Sequence, residues 1–471
     1  MKFHSHTTRS MALILCAFLL LAGMPYATAA NGNQAAPKDT TQVKDGIKRG
    51  WTLGALPSVG YNTDIGFQYG ALAELFDYGD GSTFPQYRHM MHIEAAYTTK
   101  RTGLFRFFYD SAFLIPKTRM TLDLTYIPEQ MSDFYGFNGF ESVFNSGWGK
   151  TGSSDYHTRA FYRMKKNYFR ATLDFQGTLV DHLSWNAGLG FFNYKTDQVD
   201  VDYLNRNKSD EKKLPPLSQE PTLYNYYTQW GLIKPNEAKG GSHLFLRAGL
   251  TYDSRNHPNN PTHGIWADAF ATYVAAFGDM KEYNTVLANA SFRHYVPLWS
   301  DRFVFAYRLS YQGTVTGGLP FYMKNFMSTL FTKRANYMLL GGENSLRGIL
   351  RNRITADGYA FANIELRMKL ASFTIARQAF YVGLNPLFDV GFITDHMDWA
   401  KSETELRALT TAQGLNYNDY FAIGKDGLHM GAGLGLKIAM NENFILSVEW
   451  AKTLNKQDGN NGVYVLLGYM F

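Results

Sequence analysis

The sequence predicts an all-β protein: a transmembrane, sixteen-stranded antiparallel β-barrel that closes between its first and last strands. The chain begins like an exported protein, and it is rich in residues that membrane barrels favour, with 16% aromatic residues, 31 Tyr, 35 Phe and 43 Gly. Its segments alternate between apolar and polar residues, and the mature chain has no apolar run of the ~20 residues that a spanning helix needs. Barrel strands alternate too finely to raise the mean hydropathy, which is −0.27 here.

The first 29 residues have the pattern of a signal peptide. Lys2 and Arg9 form a basic start, residues 11–23 are apolar or small, and Ala27 and Ala29 fit a small-x-small cleavage site. The only cysteine, Cys16, lies within this segment. Residues 30–50 are polar and predict a periplasmic linker. Removing Lys2 and Arg9 from the net charge of +6 leaves about +4, dispersed along the chain, so we expect no nucleic-acid partner.

From residue 51 onward the pattern has a period of two. Met120, Leu122, Leu124 and Tyr126, for example, alternate with polar residues. One face of such a strand suits lipid, whereas the other carries charges that lipid would penalise. The predicted strands are residues 51–61, 67–77, 88–98, 104–115, 118–127, 156–180, 183–196, 242–254, 264–276, 283–296, 302–316, 355–370, 378–393, 428–440, 443–455 and 462–471.

The strand count depends on whether residues 156–180 form one strand or break near Lys165 and Lys166. Closure with both chain ends on one side requires an even number, which favours one strand. The connections then separate into short turns on one side and long loops on the other, as in outer-membrane barrels. The alternative is a soluble β-sandwich with one solvent-exposed face. Against it, the apolar face of a strand often ends in an aromatic residue, as membrane interfaces require. These residues are Tyr61, Tyr126, Tyr252 and Trp450.

A glycine-rich stretch with one arginine lies between the strands 302–316 and 355–370. It contains Gly341, Gly342, Ser345, Leu346, Arg347 and Gly348. The glycines permit positive φ and close backbone approach. The guanidinium offers five donors in a fixed plane, which suits buried carboxylates. We therefore expect the arginine to be held at the tip of a folded loop.

This loop and four other stretches, taken in order, resemble the BamA/TamA family of outer-membrane barrels. The stretches are residues 134–138 (Phe-Tyr-Gly-Phe-Asn), the turn 252–264, the loop 341–348, the strand segments 363–367 (Asn-Ile-Glu-Leu-Arg) and 388–391 (Phe-Asp-Val-Gly), and the terminal residues 469–471 (Tyr-Met-Phe). The resemblance covers about residues 50–471. It implies a barrel domain over residues 51–471 in the outer membrane of a Gram-negative bacterium.

The resemblance also implies roles for individual residues. The sixth outer loop of the family folds into the lumen, so Arg347 is expected to meet Glu365 and Asp389 on the inner wall. Glu343 and Arg351 could compete for these partners. The turn residues Asp253, Arg255, Pro261, Thr262 and Gly264 match a periplasmic turn of the family, for which a purely structural role is favoured.

The closing seam is expected between the first strand and the last. Gly54, Pro57 and Gly60 weaken the first strand, because proline lacks an N–H donor and glycine has no side chain to pack. Phe471 is expected at the other side of this seam. A weak seam is what a lateral gate requires, although Pro57 could simply point away from its neighbour. The family's assembly factors carry periplasmic POTRA domains, and the linker predicted here is too short for one.

The function expected from this resemblance is assistance in inserting or translocating proteins or lipids across the outer membrane. Outer-membrane lipid is one expected partner, and periplasmic or outer-membrane assembly proteins are others. The alternative is a passive or substrate-selective channel, or a surface structural protein. No catalytic residue, cofactor or metal site is predicted: there is no Gly-x-Ser-x-Gly elbow, and Asp200 and Asp202 more often mark a solvated loop than a calcium site.

Overall fold

The structure, a computed structural model, is a closed antiparallel barrel. It describes residues 47–324, 326, 340–441 and 444–471. Within these residues sixteen strands each pair with the next along the chain, and the last pairs with the first. The predicted fold class is thereby confirmed. The predicted signal peptide and residues 30–46 of the predicted linker lie outside the described residues.

The strands cover most of the described chain. They are β1 (Trp51–Asn62), β2 (Gly66–Asp77), β3 (His89–Thr98), β4 (Gly103–Ile115), β5 (Thr118–Asp133), β6 (Arg163–Val180), β7 (Leu183–Asp197), β8 (Gly241–Asp253), β9 (Gly264–Ala276), β10 (Thr285–Pro297), β11 (Phe303–Thr316), β12 (Gly358–Ile375), β13 (Gln378–Asp395), β14 (His429–Met440), β15 (Phe444–Thr453) and β16 (Asn461–Leu467). In the described part, α-helix is limited to α1 (Val201–Asn205), α2 (Leu223–Gln229) and α3 (Glu403–Ala412). None of these described helices has the length and apolar character needed to cross a membrane.

Several strand ends differ from the prediction. β6 runs unbroken past Lys165 and Lys166, which gives sixteen strands rather than seventeen, but it starts at residue 163. β5 continues to residue 133, because a bulge between Glu129 and Ser132 restores its pairing after Pro128. The predicted turn 371–377 shrinks to two residues, since β12 and β13 pair up to Ile375 and Gln378.

The two faces of the wall separate side chains as the alternation predicts. On β8, Leu244, Leu246 and Leu250 point outward and are exposed, whereas Arg247 points inward and is buried. Several buried charges of the inner wall are paired across strands: Arg247 Nη2 lies 2.6 Å from Asp174, and Arg106 and Arg170 both bind Asp123. Charges therefore face the lumen, and apolar side chains face the lipid.

The long loops close one end of the barrel. Their aromatic residues form a buried cluster, here called the outer cap, around Tyr227 of α2. Its ring centroid lies 5.3 Å from those of Phe134 and Phe137 and 6.0 Å from that of Phe421, so segments on three different loops meet there. In outer-membrane barrels the long loops face outward, which places both chain ends on the periplasmic side.

Candidate functional site: the lumen loop and the barrel seam

The lumen loop is the connection between β11 and β12, residues 317–357, of which the described residues 340–354 lie inside the barrel. Gly341 and Gly342 have φ angles of 103° and 87°, as the sequence led us to expect. The Ser345 hydroxyl accepts a hydrogen bond of 3.0 Å from the Gly341 N–H, and the Gly342 N–H donates to the Leu346 carbonyl at 3.1 Å. A Cβ atom on Gly341 would lie 2.1 Å from the Leu350 carbonyl oxygen. This turn therefore requires glycine at that position.

Leu346 anchors the loop by apolar contact. It is fully buried in a cluster with Ile349 and Ile354 of the loop and Tyr359 of β12. On β13, a Cβ atom at Gly391 would lie 2.8 Å from a Leu346 methyl group, so that glycine makes room for the side chain. Burying a leucine contributes about 1.5–3 kcal/mol relative to leaving it exposed. The apolar contacts of Leu346 thus hold the loop backbone against the barrel wall beside Arg347.

Arg347 lies in a pocket of three carboxylates. Its Nε and Nη2 atoms donate to the two oxygens of Asp389, both at 2.9 Å, and Nη1 donates to Glu365 at 2.6 Å and Glu449 at 3.1 Å. The backbone N–H of Arg347 also donates to Asp389, at 2.8 Å. All four side chains are fully buried. The structure therefore brings together the three residues that the family resemblance grouped and adds a fourth, Glu449.

Two further cations balance the pocket. Arg367 Nε lies 2.9 Å from Glu365, and Lys437 Nζ contacts Glu449. Three cations thus face three carboxylates, and the buried group is formally neutral. Burial alone would lower the pKa of the loop residue Arg347, but the three carboxylates outweigh burial and raise this pKa well above its usual value. The guanidinium therefore stays charged, as a buried ion-pair network needs if it is not to cost stability.

The pocket contains two residues that the sequence did not assign to it. They are Glu449 of β15 and Gly431 of β14. A Cβ atom at Gly431 would lie 2.1 Å from the Arg347 carbonyl oxygen. This glycine of β14 is what lets the loop backbone touch the wall. The alternation on β15 indicated that Glu449 faces inward, but no local signal pointed to its partner.

Arg351 and Glu343 do not compete for the Arg347 pocket. Arg351 instead binds the opposite wall, with Nη1 2.7 Å from Glu129 and Nε 2.8 Å from Asp133, both on β5. Glu343 accepts a hydrogen bond of 2.6 Å from the side-chain amide of Asn62 on β1. The expected competition is therefore replaced by separate contacts, and the loop bridges the lumen from β5 to β12–β15.

The seam between β1 and β16 is short. Only Tyr61 and Asn62 pair in register with β16, opposite Val465 and Tyr464, whereas all twelve residues of β1 pair with β2. The Thr63 N–H adds one bond of 3.1 Å to the Val463 carbonyl. Gly54, Pro57 and Gly60 lie in the part of β1 that has no described partner on β16. The paired residues lie at the outer end of β1, so β1 and β16 do not pair in the periplasmic part of the seam.

Phe471 does not lie in the seam, which differs from the expectation. β16 ends at Leu467, and Gly468, with φ of 86°, turns the last residues into the lumen. There the Arg367 guanidinium donates to the Phe471 main-chain oxygen at 2.7 Å and lies 4.0 Å from the centre of the Tyr469 ring. A straight strand would leave these aromatic contacts unmade, so the chain bends inward.

The lumen loop contacts both sides of the seam. Glu343 binds Asn62 on β1, as described above, and the Gly348 N–H donates to the Tyr464 hydroxyl on β16 at 3.0 Å. Asn62 and Tyr464 are directly opposite each other in the seam. A Cβ atom on Gly348, whose φ is 88°, would lie 2.8 Å from the backbone of Lys452, so this approach requires glycine. The loop therefore ties together the two strands that close the barrel.

Tyr464→Phe is expected to loosen the seam without unfolding the barrel. It leaves the buried Gly348 N–H without its acceptor, which costs about 1–3 kcal/mol. The amides of the paired seam residues should then exchange with deuterium about ten times faster, since ~1.4 kcal/mol corresponds to a factor of ten. Mass spectrometry of detergent-solubilised protein measures this exchange. Tyr97→Phe, on the lipid-facing side of β3, is the control. Equal exchange in both variants would show that the hydrogen bond from Gly348 to Tyr464 does not stabilise the seam.

The turn between β8 and β9 has the geometry of a rigid structural corner. Arg255 binds both oxygens of Asp253, at 2.9 and 3.0 Å, and stacks 4.4 Å from the centre of the Trp266 ring. Thr262 and Pro261 are buried, and the Thr262 N–H donates to Asn256 at 3.0 Å. Gly264 has φ of 104°, and a Cβ atom there would lie 2.4 Å from the Ser254 carbonyl oxygen. These contacts stabilise the turn at the periplasmic end, far from the lumen loop.

Comparison with known families decides the relationship of this barrel. The Omp85 superfamily domain matches residues 89–471. The chain belongs to the Omp85 superfamily. The predicted resemblance to BamA/TamA barrels is thereby confirmed, and the protein is located in the outer membrane of a Gram-negative bacterium. A search of curated protein sequences returned no match.

Solved structures share the Omp85 fold of this chain. BamA from Haemophilus ducreyi lacking POTRA domains 1–3 is 15% identical, with a TM-score of 0.51, over 89% of this chain and 70% of that one. CdiB from Escherichia coli is 12% identical, with a TM-score of 0.52, over 91% of this chain and 64% of that one. At these identities the likeness shows the fold alone. Among the described residues there is no cluster of His, Cys, Asp or Glu arranged to hold a metal ion.

Proposed function

We propose that this Omp85 barrel assists the insertion or translocation of proteins or lipids across the outer membrane, and that the lumen loop controls the opening of the seam between β1 and β16. The observation that supports this most strongly is the double tie from the loop to Asn62 and Tyr464. A loop that served only to plug the lumen would not need to contact both sides of the closure.

The energetics of the wall favour opening at this seam. A net hydrogen bond contributes about 0.5–1.5 kcal/mol, so the few bonds between β1 and β16 hold with only a few kcal/mol. The other strand pairs are much longer; β12 and β13, for example, pair from Gly358 to Ile375. Thermal or mechanical stress would therefore part the seam first.

An opened seam would offer a template for another chain. An edge strand presents a row of unpaired N–H and C=O groups that an extended segment can bind. Residues 51–60 of β1 already have no described partner on β16. We propose that a client strand pairs here, with the lipid bilayer as the medium that it enters. Periplasmic or outer-membrane assembly proteins would deliver the client to the short-turn end.

A disulfide across the seam tests the proposal. Tyr61→Cys with Val465→Cys places two cysteines directly opposite each other, within the ~4.5–5.5 Å between facing Cβ atoms of an antiparallel pair. The protein is reconstituted in vesicles of phosphatidylethanolamine and phosphatidylglycerol. An unfolded small outer-membrane barrel is then added, and its folding is followed by heat-modifiable gel mobility. We expect the barrel to accelerate this folding when reduced, and to lose the acceleration when oxidised.

A matched pair controls for oxidation itself. Leu189→Cys with Leu246→Cys joins two outward residues that face each other on β7 and β8, away from the seam. This variant should stay active when oxidised. If the oxidised seam variant folds the client as fast as the reduced one, a gating role for the seam is excluded. If neither form accelerates folding, the assembly function itself is contradicted.

A further inference from the structure

The lipid-facing wall carries a groove on the side of the barrel formed by β9–β13. Its volume is about 540 Å³, and outward-pointing alanines form its floor. Larger side chains line its sides. The floor consists of Ala267, Ala290, Ala360 and Ala362, and the sides of Phe292, Leu309, Tyr311, Val390, Phe392 and Leu428.

The alanines fall next to one another because of the strand register. Ala360 pairs with Tyr311, which pairs with Ala290, and one row further along the barrel Ala362 pairs with Leu309. Small and large residues thus alternate across neighbouring strands and leave the groove between the large ones. At another lipid-facing position, on β7 and β8, the facing outward residues Leu189 and Leu246 are both large.

The position of the Tyr311 ring helps to define the shape of the groove. The phenol lies along β11 over Gly313, where a Cβ atom would be only 2.3 Å from the Tyr311 hydroxyl oxygen. Glycine at residue 313 therefore lets the ring lie down on the wall. Any larger residue there would force the ring to move. The shape of the groove thus depends on a specific pair of residues on β11, Tyr311 and Gly313.

We propose that this groove binds one acyl chain of a membrane phospholipid. The groove lies on the outer face of a wall that spans the bilayer, so the molecules that reach it are lipids. It crosses five strands, which at ~4.8 Å between strands is about 19 Å. One leaflet of the hydrocarbon core is ~15 Å thick, half of ~30 Å, so a single acyl chain of about that length covers most of the groove.

The residues that line the groove favour phospholipid over the more highly charged lipid A. None of the described residues that line it is lysine or arginine, and its one charged residue is Asp268, whose carboxylate accepts a hydrogen bond of 2.6 Å from the Trp266 indole. Several phosphates would find no cation there. The binding energy would therefore come from the apolar contact with the chain, at roughly 25 cal/mol per Å² of buried apolar surface.

Photolabelling in a defined bilayer tests this site. The full chain is reconstituted in vesicles of phosphatidylethanolamine and phosphatidylglycerol that contain a trace of phospholipid with a diazirine at the end of one acyl chain. After irradiation, labelled peptides are mapped by mass spectrometry. We expect Phe292 and Tyr311 to be labelled several times more than Leu189 and Leu246. Equal labelling of the two groups would overturn the proposal, as would chain-to-chain crosslinks at the groove.

Variants separate a shaped site from general lipid contact. Ala290→Phe and Ala362→Phe each fill the groove and should reduce its labelling to the level of Leu189. Ala95→Phe, at an exposed lipid-facing position of β3, should leave the groove labelled. Heat-modifiable gel mobility shows that each variant is folded, and the wild-type comparison remains decisive if one is not. If unlabelled lipid A displaces the probe and added phospholipid does not, the assignment to phospholipid is wrong.

Discussion

Arg347→Met is expected to release the lumen loop and to destabilise the folded barrel by about 3–5 kcal/mol, the usual cost of removing one partner from a buried ion-pair network. Without the guanidinium, Glu365, Asp389 and Glu449 would face only the two cations Arg367 and Lys437. The pocket would then carry one uncompensated buried charge. Arg347→Lys keeps the charge but loses the paired bonds to Asp389, so we expect a smaller loss.

Two measurements can detect the release of the lumen loop. The temperature at which the compact gel band disappears should fall for Arg347→Met, and the conductance of single barrels in planar bilayers should rise as the loop leaves the lumen. Arg407→Met is the control: it removes an exposed pair with Glu403 on α3, and such surface pairs contribute about 0–1 kcal/mol.

A compensating change distinguishes charge balance from general damage. Arg347→Met combined with Asp389→Asn leaves two carboxylates facing two cations, so the buried group is neutral again. We expect this double variant to recover part of the lost thermal stability but not the closed lumen, because the bonds that hold the loop are still missing. If Arg347→Met alone melts and conducts like the wild type, the pocket does not anchor the loop.

Gly431→Ala is expected to have an effect of similar size through the backbone alone. The added methyl group would lie 2.1 Å from the Arg347 carbonyl oxygen, a distance that real Cβ contacts do not reach. Since this neighbour is backbone and not a flexible side-chain end, either the loop or β14 must move. Moving the loop breaks the arginine contacts, and moving β14 disturbs its pairing with β13 and β15.

The matched control for Gly431→Ala is Gly427→Ala, just before β14, where an added Cβ atom meets nothing closer than 4.0 Å. Only the former should lower the melting temperature and raise the conductance. We further expect Gly431→Ala and Arg347→Met to be non-additive when combined, because both act by displacing one loop. Fully additive losses of stability would show that Gly431 acts elsewhere.

The sequence predicted much of the fold and the centre of the site. Alternation with a period of two indicated which face of each strand meets lipid, and the parity of strands decided between sixteen and seventeen. The motif around Arg347, together with the family resemblance, brought Glu365 and Asp389 to it. Such features can be read locally, because a two-residue period or a glycine-rich turn is contained within a few neighbouring positions.

The tertiary structure alone decided which residues complete the site. Glu449 lies 102 positions from Arg347 in the chain, and only the closure of the barrel brings β15 beside the loop. Alternation shows that Glu449 and Tyr464 face inward but not which loop atoms they meet. The inward bend of Phe471 likewise depends on Arg367, on a strand distant in sequence. A local pattern determines the face of a strand, whereas the partners of an inward side chain depend on how a loop packs across the lumen.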